Sequence, residues 1–229
     1  MVDAARVASV SVLVLAVDTS TPTVLAAVVE LGPDGVTRPV ACRRTVDARA
    51  HAEVLTPQVL ECLAEARITA QELDAVVCGA GPGPYTGLRV GMVTAVAFGD
   101  ALDIPVHGGC SLDAVAGAAQ HAGPLLVVTD ARRKEVYWAC YDHGARTEGP
   151  AVSRPGDVDA GAATAVAGSP QHAALFDRPL VDPESPDPAA LVRLVARELL
   201  AATPPAPLVP LYLRRPDAVA TANRPVVRA

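Results

Sequence analysis

The order in which strand and helix signals follow one another allows this chain few folds. Val12–Val17 reads VLVLAV, an apolar, valine-rich run that predicts a first strand covered on both faces. Two more strand signals, Val24–Leu31 and Val36–Val46, follow after tight turns and predict an antiparallel meander. Helices are then expected at about 52–67, 86–100 and 111–120, with strands at about 75–78 and 104–107. The predicted order of the first half is therefore βββαβαβα.

That order is the order of a ribonuclease-H-like lobe, and the second half begins in the same way. A strand is expected at about 125–129, followed by the alternating run Glu135–Tyr141. The stretch 141–188 is rich in Gly, Pro and Asp, which predicts long surface loops with a short strand at 163–167. Asp187 and Pro188 predict the start of a helix that runs to about Ala201, and an extended spacer follows at 204–207.

We therefore predict an α/β protein of two ribonuclease-H-like lobes, the second of them degenerate. The expected divisions are an N-terminal extension at 1–11, a first lobe at 12–122, a second lobe at 123–214 and a mobile tail at 215–229.

Composition excludes several classes of protein. Hydrophobic residues make up 51% and charged residues 19%, which excludes an intrinsically disordered chain. The net charge of −6 argues against electrostatic binding of nucleic acid, so if the chain acts on RNA, another molecule must hold that RNA. Five scattered cysteines form no metal-binding pair and suit a reducing cytoplasm. The apolar segment Val7–Val17 is too short to span a bilayer and lacks a signal-peptidase site, so we expect no membrane association.

Two loops are candidates for a nucleotide site that has degenerated. The first follows the opening strand, and the second is the glycine- and proline-rich loop Gly79–Gly87 between a strand and a helix. Carboxylates and backbone amides in such places bind phosphate and Mg²⁺ in actin-like ATPases. The alternatives are that the aspartate caps its own turn and that the glycines serve only a strained turn. The candidate residues are Asp18, Thr19, Ser20, Gly81, Gly83 and Thr86.

The two helices on either side of this loop predict a protein interface. Helix 52–67 has an apolar stripe of roughly 160°, wider than the roughly 100° that packing on one core needs. Helix 86–100 carries small residues four apart and is apolar nearly all round, so it requires cover on every side. Purely internal packing is the alternative. The candidate interface residues are His51, Leu55, Val59, Cys62, Leu63, Gly87, Gly91 and Ala95.

Signatures of catalysis are missing from the sequence. It contains no GxSxG and no HExxH motif. His51 is at a helix start, but Leu55 occupies the position where a second metal-binding histidine would be needed. We therefore predict no catalytic and no metal-ligating residue, and a helix-start or interface role for His51.

Taken together, these segments resemble the TsaB (YeaZ) family, the inactive paralogues of the TsaD or glycoprotease family within the actin-like ATPase (ASKHA) superfamily. The match covers nearly the whole chain, from about Val12 to Arg214, and the glycine loop is its most specific part. The matching segments are Leu15–Ser20, His51–Glu53 with Leu55 and Pro57, Gly79–Gly91, Asp130–Tyr141 and Pro210–Arg214.

The resemblance implies a non-catalytic subunit in the formation of threonylcarbamoyladenosine in tRNAs that read ANN codons. A TsaD-like partner would carry the metal, bind nucleotide and transfer the threonylcarbamoyl group, and a TsaE-like ATPase would be recruited. ATP or ADP and metal are then expected on the partner or at the shared interface, and tRNA only through the complex. Alone, the chain is expected to form a homodimer if its partner surface pairs with itself.

Two other functions remain open from the sequence. One is an actin-like ATPase or a glycoprotease-type metallopeptidase. Against it, the second-lobe segment Asp130–Arg133 has no glycine where a phosphate loop is expected. The other is a homodimeric binding module unrelated to tRNA.

Overall fold

The computed structural model describes residues 11–214 and shows two lobes, each built on a five-stranded sheet. The predicted extension and tail lie outside the described residues, apart from Ser11. In the first sheet, β1, β2 and β3 form the predicted antiparallel meander, and β4 and β5 continue it in parallel with β1, in the order β3-β2-β1-β4-β5. The first-lobe elements are β1 (Val12–Asp18), β2 (Thr23–Leu31), β3 (Thr37–Val46), α1 (His51–Ala66), β4 (Ala75–Gly79), α2 (Tyr85–Leu102), β5 (Val106–Gly109) and α3 (Ser111–Ala116).

The second lobe repeats this topology strand for strand. Its sheet order is β10-β9-β6-β7-β8, with β6, β7 and β8 antiparallel and β9 and β10 parallel to β6. Its elements are β6 (Leu125–Asp130), β7 (Val136–Asp142), β8 (Ala145–Ser153), β9 (Ala165–Gly168), α4 (Pro170–Ala173) and β10 (Leu180–Val181). The mixed α/β fold with two ribonuclease-H-like lobes is thus confirmed. The second lobe has kept its strands, but its helices are reduced. For example, α4 has four residues, whereas α2, at the equivalent place in the first lobe, has 18.

The expectation of mostly loops at 141–188 was wrong in one respect, because β8 is a full nine-residue strand. Its first five residues are exposed and it forms the edge of the sheet. An edge strand that faces solvent needs no buried alternation, and so it carries little sequence signal.

The predicted helix from Pro188 forms as two short helices, α5 (Pro188–Arg193) and α6 (Ala196–Leu200). Asp187 caps α5 as predicted, and its Oδ1 accepts a hydrogen bond from the Ala190 amide at 2.9 Å. Although they come late in the chain, both helices pack on the first sheet, where Leu191 and Val195 contact the face opposite α1 and α2. The division of the chain at residue 123 therefore does not divide the cores.

This arrangement explains why β1 is apolar from Val12 to Val17. Leu15 and Val17 face the core beneath α1 and α2, whereas Val14 and Ala16 face α5 and α6, and all four are fully buried. Helix α3 then bridges to the second lobe, where its Leu112 packs with residues of β6 and β7.

The chain from 204 to 214 forms a strap without regular structure that joins the two lobes. Leu208 packs into the first-lobe core and Leu213 against the second-lobe core. Between them, the Leu211 amide donates to the Ala80 carbonyl at 2.9 Å. Within the described residues, no helix combines the length and apolar character needed to cross a membrane.

Candidate functional site

Asp18, the first residue of the predicted nucleotide site, is completely buried where β1 ends. Its Oδ1 accepts hydrogen bonds from the Ser20 amide at 2.8 Å and the Ser20 hydroxyl at 2.7 Å. Its Oδ2 accepts the Ser111 hydroxyl at 2.6 Å. Both oxygens are engaged within the protein, so a phosphate or Mg²⁺ would have to compete with these serines for the buried carboxylate. The geometry supports the alternative in which Asp18 caps its own turn.

Burial dominates the electrostatics of Asp18. Desolvation raises the pKa of this carboxyl, and the hydrogen bonds from Ser111 and Ser20 and the charge of His51 oppose that rise. A carboxyl in this environment binds internal donors and holds a turn in place.

The glycine loop packs directly onto this turn. A methyl group at Gly79 would overlap the Asp18 carboxylate, and one at Gly83 would overlap the backbone of Ser20. Gly81 has φ +92°, a left-handed conformation that side chains disfavour. Close approach therefore accounts for these glycines, and Gly81 and Gly83 are buried instead of lining an open phosphate cradle.

Thr19 joins the same loop to α2. Its hydroxyl donates to the Gly87 carbonyl at 2.7 Å and accepts from the Gly91 amide at 3.0 Å. These are the two backbone groups that bond to each other in a regular helix. The Thr19 side chain thus bridges one turn of α2, and any side chain at Gly91 would collide with it.

Five of the six nucleotide-site candidates are therefore brought together in the interior. The sixth, Thr86, is exposed near the start of α2 and lies apart from them. His51 is the first residue of α1, and its Nε2 donates to the Thr21 carbonyl at 2.9 Å.

The predicted interface side chains are corrected by the structure. None of the eight is exposed, and Leu55 and Val59 belong to the first-lobe core. The wide apolar stripe of α1 is covered by its own sheet and by α2, and the small residues of α2 allow the turn after β1 to approach. The buried residues are His51, Leu55, Val59, Cys62, Leu63, Gly87, Gly91 and Ala95. A partner surface on these helices must use other side chains.

Such side chains exist on the outer surface of α1 and α2. On α2 the exposed residues include Tyr85, Val93 and Val96, with Val93 67% exposed. On α1, Leu60 is 58% exposed. Leu60 lies away from the edge of α1 where Glu61 and Glu65 pair with Arg43 of β3. We call this the α1/α2 face, defined by Ala52, Thr56, Leu60, Tyr85, Arg89, Val93 and Val96.

The α1/α2 face contains a groove of about 520 Å³ between Ala52 and the exposed residues of α2. At one end of α2, the Arg89 guanidinium stacks on the Tyr85 ring, 3.9 Å from its centroid, and donates to the Tyr212 hydroxyl at 3.0 Å. The Tyr85 and Tyr212 rings lie 5.0 Å apart. This ordered aromatic cluster connects the strap to the α1/α2 face. Sequence reasoning did not identify Ser111 or this cluster.

Reactive or metal-binding groups do not gather elsewhere in residues 11–214. No three His, Cys, Asp or Glu side chains lie together there as metal ligands. The cysteines are free thiols, and burial raises the pKa of Cys62 and of Cys110 to about 11. Thiols in that range are protonated at neutral pH and are poor nucleophiles.

Comparisons with known proteins point to one family. The model of the TsaD family, described as tRNA N6-adenosine threonylcarbamoyltransferase, matches residues 45–182, more than half of the chain. TsaB of Escherichia coli is 32% identical over 152 residues, which are 62% of this chain and 62% of that protein. A crystal structure from Pseudomonas aeruginosa, described as similar to peptidase YeaZ, is 31% identical with a TM-score of 0.73. It covers 89% of this chain and all of the compared one.

The chain belongs to the TsaB (YeaZ) family. Another member of similar length is an uncharacterised protein of Mycobacterium tuberculosis, 60% identical over 205 residues, which are 90% of this chain and 93% of that protein. In this TsaB-family structure the segments that carry the resemblance are neighbours in space. The turn Asp18–Ser20, the glycine loop and the start of α1 contact one another. These motifs therefore describe one packed unit.

Proposed function

We propose that this chain is a non-catalytic subunit that pairs with a TsaD-like threonylcarbamoyl transferase through the α1/α2 face. Together they would form threonylcarbamoyladenosine in tRNAs that read ANN codons. The relatives from Bacillus subtilis and Escherichia coli are both named as tRNA threonylcarbamoyladenosine biosynthesis proteins. Membership of the family is the basis for assigning the pathway.

The observation that carries the pairing is the apolar, solvent-facing character of the α1/α2 face. Val93 is mostly exposed and lines the groove together with Ala52 and Val90, and Leu60 of α1 is also mostly exposed. Contiguous apolar surface on a folded protein is typical of a protein interface. Tyrosine and arginine at one end are residue types that often dominate binding energy.

The assignment as a non-catalytic subunit rests on the closed turn at Asp18. Both oxygens of the carboxylate accept internal hydrogen bonds, and the glycine loop fills the space beside them. We place ATP or ADP and the metal on the partner or at the shared interface. A TsaE-like ATPase would join the pair in the cytoplasm, and the α1/α2 face would pair with itself in the absence of a partner.

Substitution of Val93 by glutamate tests this proposal. Val93 is exposed, so Val93→Glu should leave the melting temperature of the lone chain nearly unchanged. A charge buried without a partner costs several kcal/mol, so binding to the TsaD-like protein of the same organism should weaken by about 100-fold or more. Titration of the purified proteins measures the affinity. Nucleoside mass spectrometry of tRNA from cells that rely on the variant measures the modification.

Val36→Glu is the matched control, because Val36 is 55% exposed in the turn between β2 and β3, outside the α1/α2 face. It should bind and support modification like the natural chain. Equal binding by Val93→Glu would refute the surface. A natural chain that neither binds the TsaD-like protein nor supports the modification would refute the function, and ATP hydrolysis by the lone chain would favour an actin-like ATPase.

A further inference from the structure

The turn between β6 and β7 carries three consecutive cations, Arg132, Arg133 and Lys134, all exposed. We call these three residues the basic turn. Lys134 is the only lysine of the chain. The basic turn occupies the place in the second lobe that Asp18–Ser20 occupies in the first lobe. The first-lobe residues are buried, and only Asp18 among them is charged. The equivalent turns of the two lobes therefore differ, one being buried and the other exposed and cationic.

The backbone of the basic turn is unusual for its residues. Arg132, Arg133 and Lys134 have φ of 62°, 53° and 64°, the left-handed region in which glycine and asparagine are ordinary. The Arg132 amide bonds to Asp130 Oδ1 at 2.7 Å, and the Glu135 amide bonds to the Arg132 carbonyl at 3.0 Å. Arginine and lysine seldom adopt left-handed φ, so three of them in succession oppose the conformational preference of the backbone. An outlier of this kind points to a role for the side chains themselves.

The basic turn concentrates cationic residues in an acidic chain. The two carboxylates beside the turn face cations already, since Asp130 lies 3.5 Å from Arg132 and Glu135 lies 2.9 Å from Arg214. The Lys134 ammonium forms no ion pair within residues 11–214. Three consecutive cations thus lie together in a chain that as a whole carries −6.

The strap links the basic turn to the start of α2. Arg214 donates to the Ala131 carbonyl at 2.7 Å, which fixes the end of the strap to the turn. Two residues earlier, Tyr212 stacks against Tyr85 at the edge of the α1/α2 face. Two residues of backbone span about 7 Å at most, so one short segment of the strap contacts both the turn and the edge of the face.

We propose that the basic turn contacts the phosphate backbone of tRNA that is bound to the assembled complex. This inference rests on the proposed function, which supplies the tRNA and the partner. Exposed cations suit a polyanion, whereas we assign the protein partner to the apolar α1/α2 face. A few phosphate contacts hold RNA weakly, so the contact acts only when the partner supplies the rest of the binding surface.

The test replaces the basic turn in the complex with the TsaD-like protein and measures tRNA binding at several salt concentrations. The variant Arg132→Asn/Arg133→Asn/Lys134→Gly places residues that favour left-handed φ in the turn, so the fold should be kept and should melt no earlier. At about 0.15 M salt its dissociation constant for tRNA should rise tenfold or more. The slope of log affinity against log salt should fall by about 2.

The matched control removes three arginines from separate exposed positions, Arg38→Gln/Arg154→Gln/Arg197→Gln. It changes the net charge equally and should retain tRNA affinity. A second measurement uses the unique lysine, because tRNA should protect Lys134 of the natural complex from acetylation as read by mass spectrometry. Unchanged affinity and slope in the basic-turn variant, or equal loss in the control, would overturn the inference.

Failure of the proposed function gives a different result. In that case the natural chain does not bind the TsaD-like protein. If the complex forms and modifies tRNA while the basic-turn variant binds tRNA normally, only the inference fails. A basic-turn variant that loses the protein partner instead of tRNA would show that the turn binds an acidic protein surface, which also overturns the inference.

Discussion

The contact between Thr19 and Gly91 predicts a coupling between two substitutions. In Gly91→Ala the new methyl group collides with the Thr19 hydroxyl, which bonds to the Gly91 amide and the Gly87 carbonyl. A displaced, buried hydroxyl without partners costs about 1–3 kcal/mol, and lost contacts add to this cost. Alanine returns about 1 kcal/mol over glycine in a helix interior. We expect Gly91→Ala to lower the free energy of unfolding by about 2 kcal/mol.

Thr19→Ala removes two hydrogen bonds and a buried methyl group, which should also cost about 2 kcal/mol. In the double variant the collision is gone, and only the benefit of alanine in the helix is added. Its total cost should therefore be about 1 kcal/mol, against about 4 kcal/mol for the sum of the single variants.

Urea denaturation followed by circular dichroism measures the free energy of unfolding of the natural chain, the two single variants and the double variant. Gly156→Ala is the control, because nothing lies within 4 Å of its added methyl group. Costs that add to within about 0.5 kcal/mol would show that Thr19 and Gly91 do not oppose one another.

Two further predictions concern the first lobe. Leu55→Glu should melt early, with a loss of about 3 kcal/mol or more, since Leu55 is 1% exposed in the core; a variant with a normal thermal melt that fails to bind the partner would return Leu55 to the interface. His107 is buried with its Nε2 unpartnered among the described residues, and desolvation lowers its pKa against the opposing charge of Glu198. The unfolded chain therefore binds the proton more readily, and stability should fall as pH drops below about 6.5, by up to about 1.4 kcal/mol per pH unit. Denaturation at about pH 8 and about pH 5.5 checks this, and His107→Leu should show the weaker pH dependence.

The sequence predicted the fold well where the residues of one segment indicate both its secondary structure and its burial. The run at Val12–Val17 required cover on both faces, and the structure supplies α1 and α2 on one side and α5 and α6 on the other. Asp187 and Pro188 marked a helix start by local chemistry alone. Strand β8 was missed because it reads ARTEGPAVS, polar and with a Gly-Pro pair, and edge strands impose few requirements on their side chains.

The sequence was less informative where an apolar surface is buried by a segment that lies far away in the sequence. The wide stripe of α1 has two possible explanations, a partner protein or a neighbouring helix, and its own residues are the same in both cases. The structure shows Leu55 and Val59 inside, with Leu60 outside. The cluster of Tyr85, Arg89 and Tyr212 joins residues more than 120 positions apart, and no local pattern indicates it.

The strap has a mechanical consequence for the whole molecule. Two-lobed proteins commonly open and close about a hinge between the lobes. Here the backbone passes between the lobes from α3 to β6, returns from β10 to α5, and passes again through the strap, where Leu208 and Leu213 are anchored on opposite sides. Bending at all three passages together would have to break both anchors and the bond from Leu211 to Ala80. The strap therefore opposes a change in the angle between the lobes, which would hold the α1/α2 face and the basic turn at a constant separation.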